Sequence, residues 1–221
     1  IGENITLTEC INISREVTIA ANYDVTLTQP TNAKNLFSIT STGNLTLGGG
    51  TGTLTLNGNN NASEDIIYVN GTLKLNDGCV INGYSCAQNV AVIQMVSGTF
   101  EMAGGIIQNH SESAISNYDQ SSNCIIKLYG GEIKNNSAKA NGGAINLRNK
   151  KTLTLDIYGT IKIHSNSCNS SSYGGSIYTT GANNTVNIST NLLILLFLYT
   201  GFPPKSTADF AFRYHRRYCN A

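Results

Sequence analysis

The sequence predicts an all-β chain, a single-stranded right-handed parallel β-helix (a solenoid) of about seven coils of roughly 26–32 residues, on three observations. Segments recur at a fixed step: Gly104 to Gly130, Ile107 to Ile133 and Met102 to Leu128 are each 26 residues apart, and stepping back by 26 reaches Gly78 and Ile81. Apolar and polar residues alternate in short runs, which is the periodicity of strands and not of helices. Three such runs fall in each period, separated by Gly and Asn corners. One repeat cannot bury its own apolar face, so it must stack on copies of itself.

The elements follow in order. Ile5–Leu7, Ile11–Ile13, Val17–Ile19 and Val25–Leu27 place Thr, Asn or another residue between aliphatics, as a half-buried strand prefers, and Pro30 sits in a corner outside any ladder. From Leu36 the register gives one coil as Leu36–Ile39, Leu45–Leu47 and Leu54–Leu56, and the next as Ile66–Val69, Leu73–Leu75 and Val80–Ile81. Val92–Met95, Phe100–Met102 and Ile106–Ile107 form the third. Ala114–Ile115, Ile126–Leu128 and Ile133 form the fourth. Ala144–Leu147, Leu153–Leu155 and Ile161–Ile163 form the fifth, and a sixth begins at Ile177 and runs through Val186–Ile188.

Middle-strand residues then form interior rows: Leu45, Leu73, Phe100, Ile126 and Leu153 in one, Leu47, Leu75, Met102, Leu128 and Leu155 beside it. Gly43, Gly71 and Gly98 precede that strand, where a sharp corner calls for positive φ. Later coils lengthen, with steps of 28 from Gly131 to Gly159, 30 from Asn136 to Asn166 and 32 from Gly143 to Gly175.

The chain divides into residues 1–190, a β-helix cut from a longer solenoid, and residues 191–221, a C-terminal cap or irregular tail. Leu192–Leu198 is an apolar run of seven, short of the roughly 18–20 residues a spanning helix needs, so no membrane-spanning segment is expected. Pro203 and Pro204 stop any ladder, and Phe210–Tyr218 is aromatic and basic. A last buried strand, a cap helix, a polybasic tail and foreign sequence from a shifted frame all fit that composition.

Charged residues make up 12% of the chain and the net charge is +1, which leaves no electrostatic footprint for nucleic acid or an anionic membrane. Six cysteines (10, 79, 86, 124, 168 and 219) show no zinc-ligand spacing; Cys79 and Cys86 are near enough to bridge a corner, or are separate thiols. At Ile1 there is no Met start, charged region or apolar run, so a signal peptide is not visible, and in a piece of a longer solenoid this says nothing about export.

No catalytic residue, metal or cofactor is predicted. Among the acids only Glu64 and Asp65 are adjacent, in an Asn-rich corner where alternation splits their directions, whereas a glycosidase needs two convergent carboxylates. Lys74, Glu101 and Lys127 make an alternating-charge outer row with Thr154, read as complementary charges on neighbouring rungs. Arg148, Lys150 and Lys151 form a solvated corner without acids beside them, and His110 and His164 lie in turns with no Ser or Cys partner. Tyr129, Tyr158, Tyr173 and Tyr178 stand at strand ends, where exposed rings either stack on sugars or simply cover the surface. Ten Asn-x-Ser/Thr sequons, Asn109 and Asn135 among them, matter only in a eukaryotic secretory setting.

Ile133–Ala138 followed by Gly142-Gly143-Ala144-Ile145 resembles the repeat of the polymorphic outer-membrane-protein family, whose short signatures are Gly-Gly-Ala-Ile and Phe-x-x-Asn. Gly174-Gly175-Ser176-Ile177 matches the first with Ser for Ala, and the second occurs with Ile for Phe at Ile106–Asn109, Ile133–Asn136 and Ile163–Asn166. Paired glycines pass a tight corner, and Asn109, Asn136 and Asn166 are candidates for a ladder that binds one coil to the next. The resemblance implies a cell-surface or secreted rod of the autotransporter-passenger type, used in adhesion. The expectation is therefore a non-catalytic, adhesin-like or structural rod with a host-surface protein or glycan as partner and no stated oligomeric state. The alternative is a polysaccharide-binding or polysaccharide-degrading β-helix of pectate-lyase type.

Overall fold

The computed structural model describes residues 3–31, 34–60, 63–85, 90–118, 122–148, 151–169, 172, 174–181 and 183–188. The expected cap or tail at 191–221, together with Cys86, Lys150, Tyr173 and Cys219, lies outside the described residues.

Alternating runs give short strands that wind into three parallel sheets of seven strands each, with a two-stranded parallel ladder of Ser137–Ala138 and Ser167–Cys168 beside them and no helix among the described residues. Sheet A holds Ile5–Thr6, Val25–Thr28, Leu54–Asn57, Cys79–Asn82, Ile106–Gln108, Glu132–Lys134 and Lys162–His164. Sheet B runs from Ile11–Ile13 to Ile177–Thr180, and sheet C from Glu16–Ile19 to Asn184–Ile188. Each turn visits B, C and A in that order, and every paired strand is parallel to its neighbour one coil away, which is a right-handed β-solenoid. Six turns are complete, about 30 Å of rod at ~4.8 Å per rung; the expected seventh is the partial turn of Ile177–Thr180 and Asn184–Ile188.

The core is a stack of columns. Val17, Leu45, Leu73, Phe100, Ile126, Leu155 and Val186 lie over one another, beside Ile19, Leu47, Leu75, Met102, Leu128, Ile157 and Ile188. The central members of both columns are fully buried, each worth roughly 1.5–3 kcal/mol of apolar burial. This corrects the sequence register at one step. Leu155 and not Leu153 continues the Ile126 column, Ile157 follows Leu128, and Leu153 pairs with Cys124. Both strands there are five residues long with three inward places, so alternation alone admits a slip of two.

Two further expectations change. Offsets between coils run from 22 (Ile93 to Ile115) to 32 (Ile145 to Ile177), a wider range than 26–32. The step across Gly131 is 30, since Glu132 pairs with Lys162, so Gly159 is not the partner of Gly131. The varying lengths fall largely in the corners between sheets A and B. Of the three glycines before sheet C, only Gly98 has positive φ (76°). Gly43 and Gly71 are required by close approach instead: a Cβ would stand 2.1 Å from Ile13 O and 2.3 Å from Thr40 O.

Candidate functional site

The corner between sheets A and B carries a polar ladder. Asn136 N–H donates to Asn166 Oδ1 (3.1 Å), His110 N–H to Asn136 Oδ1 (3.1 Å), and Tyr84 N–H to His110 Nδ1 (3.1 Å). Each side chain thus takes up a corner N–H from the coil before it. Asn136 Nδ2 also donates to Asn166 Oδ1 (2.9 Å), and Asn166 Nδ2 to Ile133 O (2.8 Å). The ladder is His110–Asn136–Asn166. Asn109 stands one residue outside it, exposed and left-handed (φ 61°), in a column with Asn135 (φ 55°) and Ser165 (φ 54°). Ile107, not Ile106, is the inward residue that pairs with Ile133 and Ile163, so the first motif copy is framed one residue later than the sequence suggests.

The same corner buries titratable groups. Burial pushes the Asp65 carboxyl up to about 7, although Ala91 N–H donates to Oδ1 at 2.7 Å. Burial pushes His110 down to about 4. Glu112 is raised by desolvation against the lowering pull of the Lys139 N–H and charge. Backbone N–H and C=O groups and the Asn136 side chain bind Asp65 and His110, the Tyr84 ring packs edge-on against the imidazole, and the Lys139 charge acts on Glu112, which fits a structural cluster.

Gly142-Gly143-Ala144-Ile145 and Gly174-Gly175-Ser176-Ile177 stack as packing units at the end of that corner. Gly143 N–H donates to Gly175 O and Ala144 N–H to Ser176 O, both at 2.9 Å, and Ile145 pairs with Ile177. Gly142 and Gly174 are left-handed (φ 65° each), and Ala144 and Ile145 are fully buried.

The outer surface of sheet A and its corner with sheet C hold a different arrangement. A shallow groove of about 570 Å³ runs across successive coils, lined by Asp77, Gly105, Gly131, Glu132, Thr160 and Lys162 among others. Glu132 is gripped by Lys134 Nζ (2.5 Å) and His164 Nε2 (2.7 Å), and the His164 hydrogen bond leads in holding its carboxyl below the ordinary range. At the groove's corner Tyr129 and Tyr158 stack with ring centroids 5.9 Å apart and planes 16° apart. Tyr178, the third described ring of that group, belongs to sheet B and does not join them.

The charge row on sheet C also shifts with the register. Lys74, Glu101 and Lys127 are neighbours rung by rung, and Asp156 follows them in place of Thr154. Asp156 Oδ1 accepts from Asn187 Nδ2 at 2.7 Å. Cys79 and Cys124 are buried thiols that desolvation pushes up to about 12 and about 11, where they are inert. Among the described residues no group of three or more His, Cys, Asp or Glu has the geometry to hold a metal, and no helix is long and apolar enough to cross a membrane.

The Glu132–His164 contact is a diagonal one. The step of 30 that aligns Ile163–Asn166 with Ile133–Asn136 sets His164 opposite Lys134, but alternation does not say that its ring reaches across to Glu132. Asn117 is a second omission: it occupies an interior place between Met95 and Leu147 and donates to Met95 O at 2.7 Å. Compared with family models, curated proteins and solved structures, the chain matches none of them.

Proposed function

We propose that the chain is a non-catalytic, surface-exposed or secreted rod, adhesin-like or structural, of the kind that the Gly142–Ile145 and Ile133–Asn136 motifs resemble. The observation that carries this reading is the dispersal of its acids. Asp77 and Glu132 share a groove but belong to coils two rungs apart, and the Asp77 carboxylate rests against Gly104 and Gly105. Glu132 is already neutralised by Lys134 and His164, and Glu101 lies between two lysines on an outer ladder.

The test pairs an activity with a binding measurement. Incubated with polygalacturonate, the chain is expected to release no new unsaturated ends; turnover abolished by Glu101→Gln or Glu132→Gln would overturn the non-catalytic reading. Beads coated with the chain are expected to stay on epithelial monolayers after washing, unlike beads coated with albumin. Equal loss of both overturns the adhesive reading.

A second reading, glycan binding without cleavage, is favoured by the stacked Tyr129 and Tyr158 beside the groove.

A further inference from the structure

We propose that the outer face of sheet C is an interface for a second copy of this chain, packed face to face with the two rods antiparallel.

Two outward rows run up that face. One holds Asn44, Thr72, Thr99, Ile125, Thr154 and Thr185, each paired with the next one rung on. Beside it stand Thr46, Lys74, Glu101, Lys127, Asp156 and Asn187 in the same register. Both rows reach solvent, and Ile125 is 38% exposed near the middle of the first. The four charges alternate in sign, yet among the described residues none of them closes an ion pair within the chain. Asp156 takes an amide hydrogen from Asn187 instead.

A row of alternating sign is complementary to its own reverse. A two-fold axis that lies between the two faces, runs along the strands and passes midway between Glu101 and Lys127 reverses the rungs and keeps each row over its own copy. Lys74 then faces Asp156 of the second copy, and Glu101 faces its Lys127. The symmetry repeats both pairs, so all four charges of each copy meet opposites. An axis through the rung of Glu101 sets Glu101 on Glu101 and Lys74 on Lys127, and one through the rung of Lys127 repels in the same way. Moving the axis a whole rung either way keeps only two of the four charges paired. Charge therefore selects a single register.

Size agrees with that register. Asn76, Ala103, Tyr129 and Tyr158 each follow directly on a sheet C strand and stack in that order at the edge of the face. The two-fold brings Tyr129 over Ala103 of the second copy and Tyr158 over its Asn76, a ring against a short side chain at both places. Nearest the axis, Ile125 meets the methyl of Thr99 of the second copy. Six strands ~4.8 Å apart and about five residues long offer about 450 Å² per copy, or about 900 Å² in total, which places the dimer in the weak, transient class.

Sedimentation equilibrium of the full chain tests the interface. A reversible dimer with a Kd on the order of 1–100 µM is expected, weakening at least about tenfold as sodium chloride rises from about 0.05 to 0.5 M. Glu101→Lys and Lys127→Glu each set like charges opposite one another twice per dimer, and each is expected to weaken self-association at least about tenfold. Mixed in equal amounts, the two variants meet opposite signs at all four places and are expected to form a heterodimer about as tight as the parent dimer. Rescue on mixing separates a broken interface from a broken fold, because neither chain is altered by the other's presence. A parent that is still monomeric at about 1 mM, or a dimer indifferent to salt, overturns the proposal. Single variants that dimerise as the parent does, or a mixture that stays monomeric, overturn it equally.

Discussion

Asp65 and His110 hold opposite ends of one peptide bond. Ala91 N–H donates to Asp65 Oδ1 at 2.7 Å from the coil below, and His110 Nε2–H donates to Val90 O at 2.9 Å from the coil above. Because His110 Nδ1 accepts Tyr84 N–H, the imidazole is fixed as the neutral Nε2–H tautomer. Three successive rungs are therefore tied at this corner through a single carboxyl and a single imidazole.

Those two groups make opposite demands on pH. Asp65 goes from an ordinary 3.8 to about 7 on folding, so folding takes up a proton and its contribution is lost as pH rises toward 7. His110 goes from 6.5 to about 4, so folding releases a proton and its contribution is lost as pH falls through that window. Between about pH 4 and 6.5 the two slopes cancel. Asp65→Asn is expected to expose the His110 slope, with stability rising by about 1.4 kcal/mol per pH unit. His110→Asn, which restores the residue found at 136 and 166, is expected to make stability fall with pH, with Glu112 adding to the fall. Urea midpoints across the window measure this; two variants as flat as the parent would sink the linkage.

The Asn ladder makes a second prediction. Asn136→Ala removes the acceptor of His110 N–H and the donor to Asn166 Oδ1, both at a buried corner. Unpaired buried groups cost about 1–3 kcal/mol each, so a loss of roughly 2–4 kcal/mol is expected. Asn109→Ala loses a long, exposed donation to Asn82 Oδ1 (3.5 Å) and meets the strain of a left-handed residue, about 1 kcal/mol, and Asn109→Gly is expected to cost less than that. Equilibrium unfolding of the three proteins gives the order, and equal losses for Asn136→Ala and Asn109→Ala would refute the ladder.

Strand spacing was legible because burial imposes it: an interior column accepts only apolar residues, and a period-2 pattern names them. Register was legible only where an asymmetry marked it. Met102 over Leu75 is fixed by Gly98 and Gly104 on either side, whereas Leu153, Leu155 and Ile157 are interchangeable to a pattern that sees only alternation. Ile106 and Ile107 pose the same ambiguity, which carried the ladder position from His110 to Asn109.

Two glycines of the repeated Gly-Gly motif separate packing from resemblance. A Cβ at Gly143 would lie 2.2 Å from Ser167 O and 2.6 Å from Gly175 O, so Gly143→Ala must push two coils apart. Among the described residues a Cβ at Gly175 meets nothing nearer than Asn166 O at 3.8 Å. Gly143→Ala is expected to cost about 3 kcal/mol or more and Gly175→Ala less than about 1 kcal/mol, read from thermal and urea unfolding. Comparable losses would mean that the motif constrains the backbone by something other than contact between coils.

The register correction itself can be tested by chemistry. Cys124 is a buried thiol whose partner on the next coil is Leu153. Paired parallel strands lie ~4.8 Å apart, inside the Cα range of roughly 4.4–6.8 Å that a disulfide accepts. Leu153→Cys, refolded in a glutathione buffer so that the thiols meet before burial slows them, is expected to yield a tryptic peptide linking residues 124 and 153. The alternative register sets Leu153 against Ile126 instead, and it predicts the link only in Ile126→Cys/Leu153→Cys. If that double variant cross-links 126 to 153 while the single variant leaves residue 124 reduced, Lys127 faces Thr154 and not Asp156. The interior columns above Leu128 would then have to be redrawn by two residues.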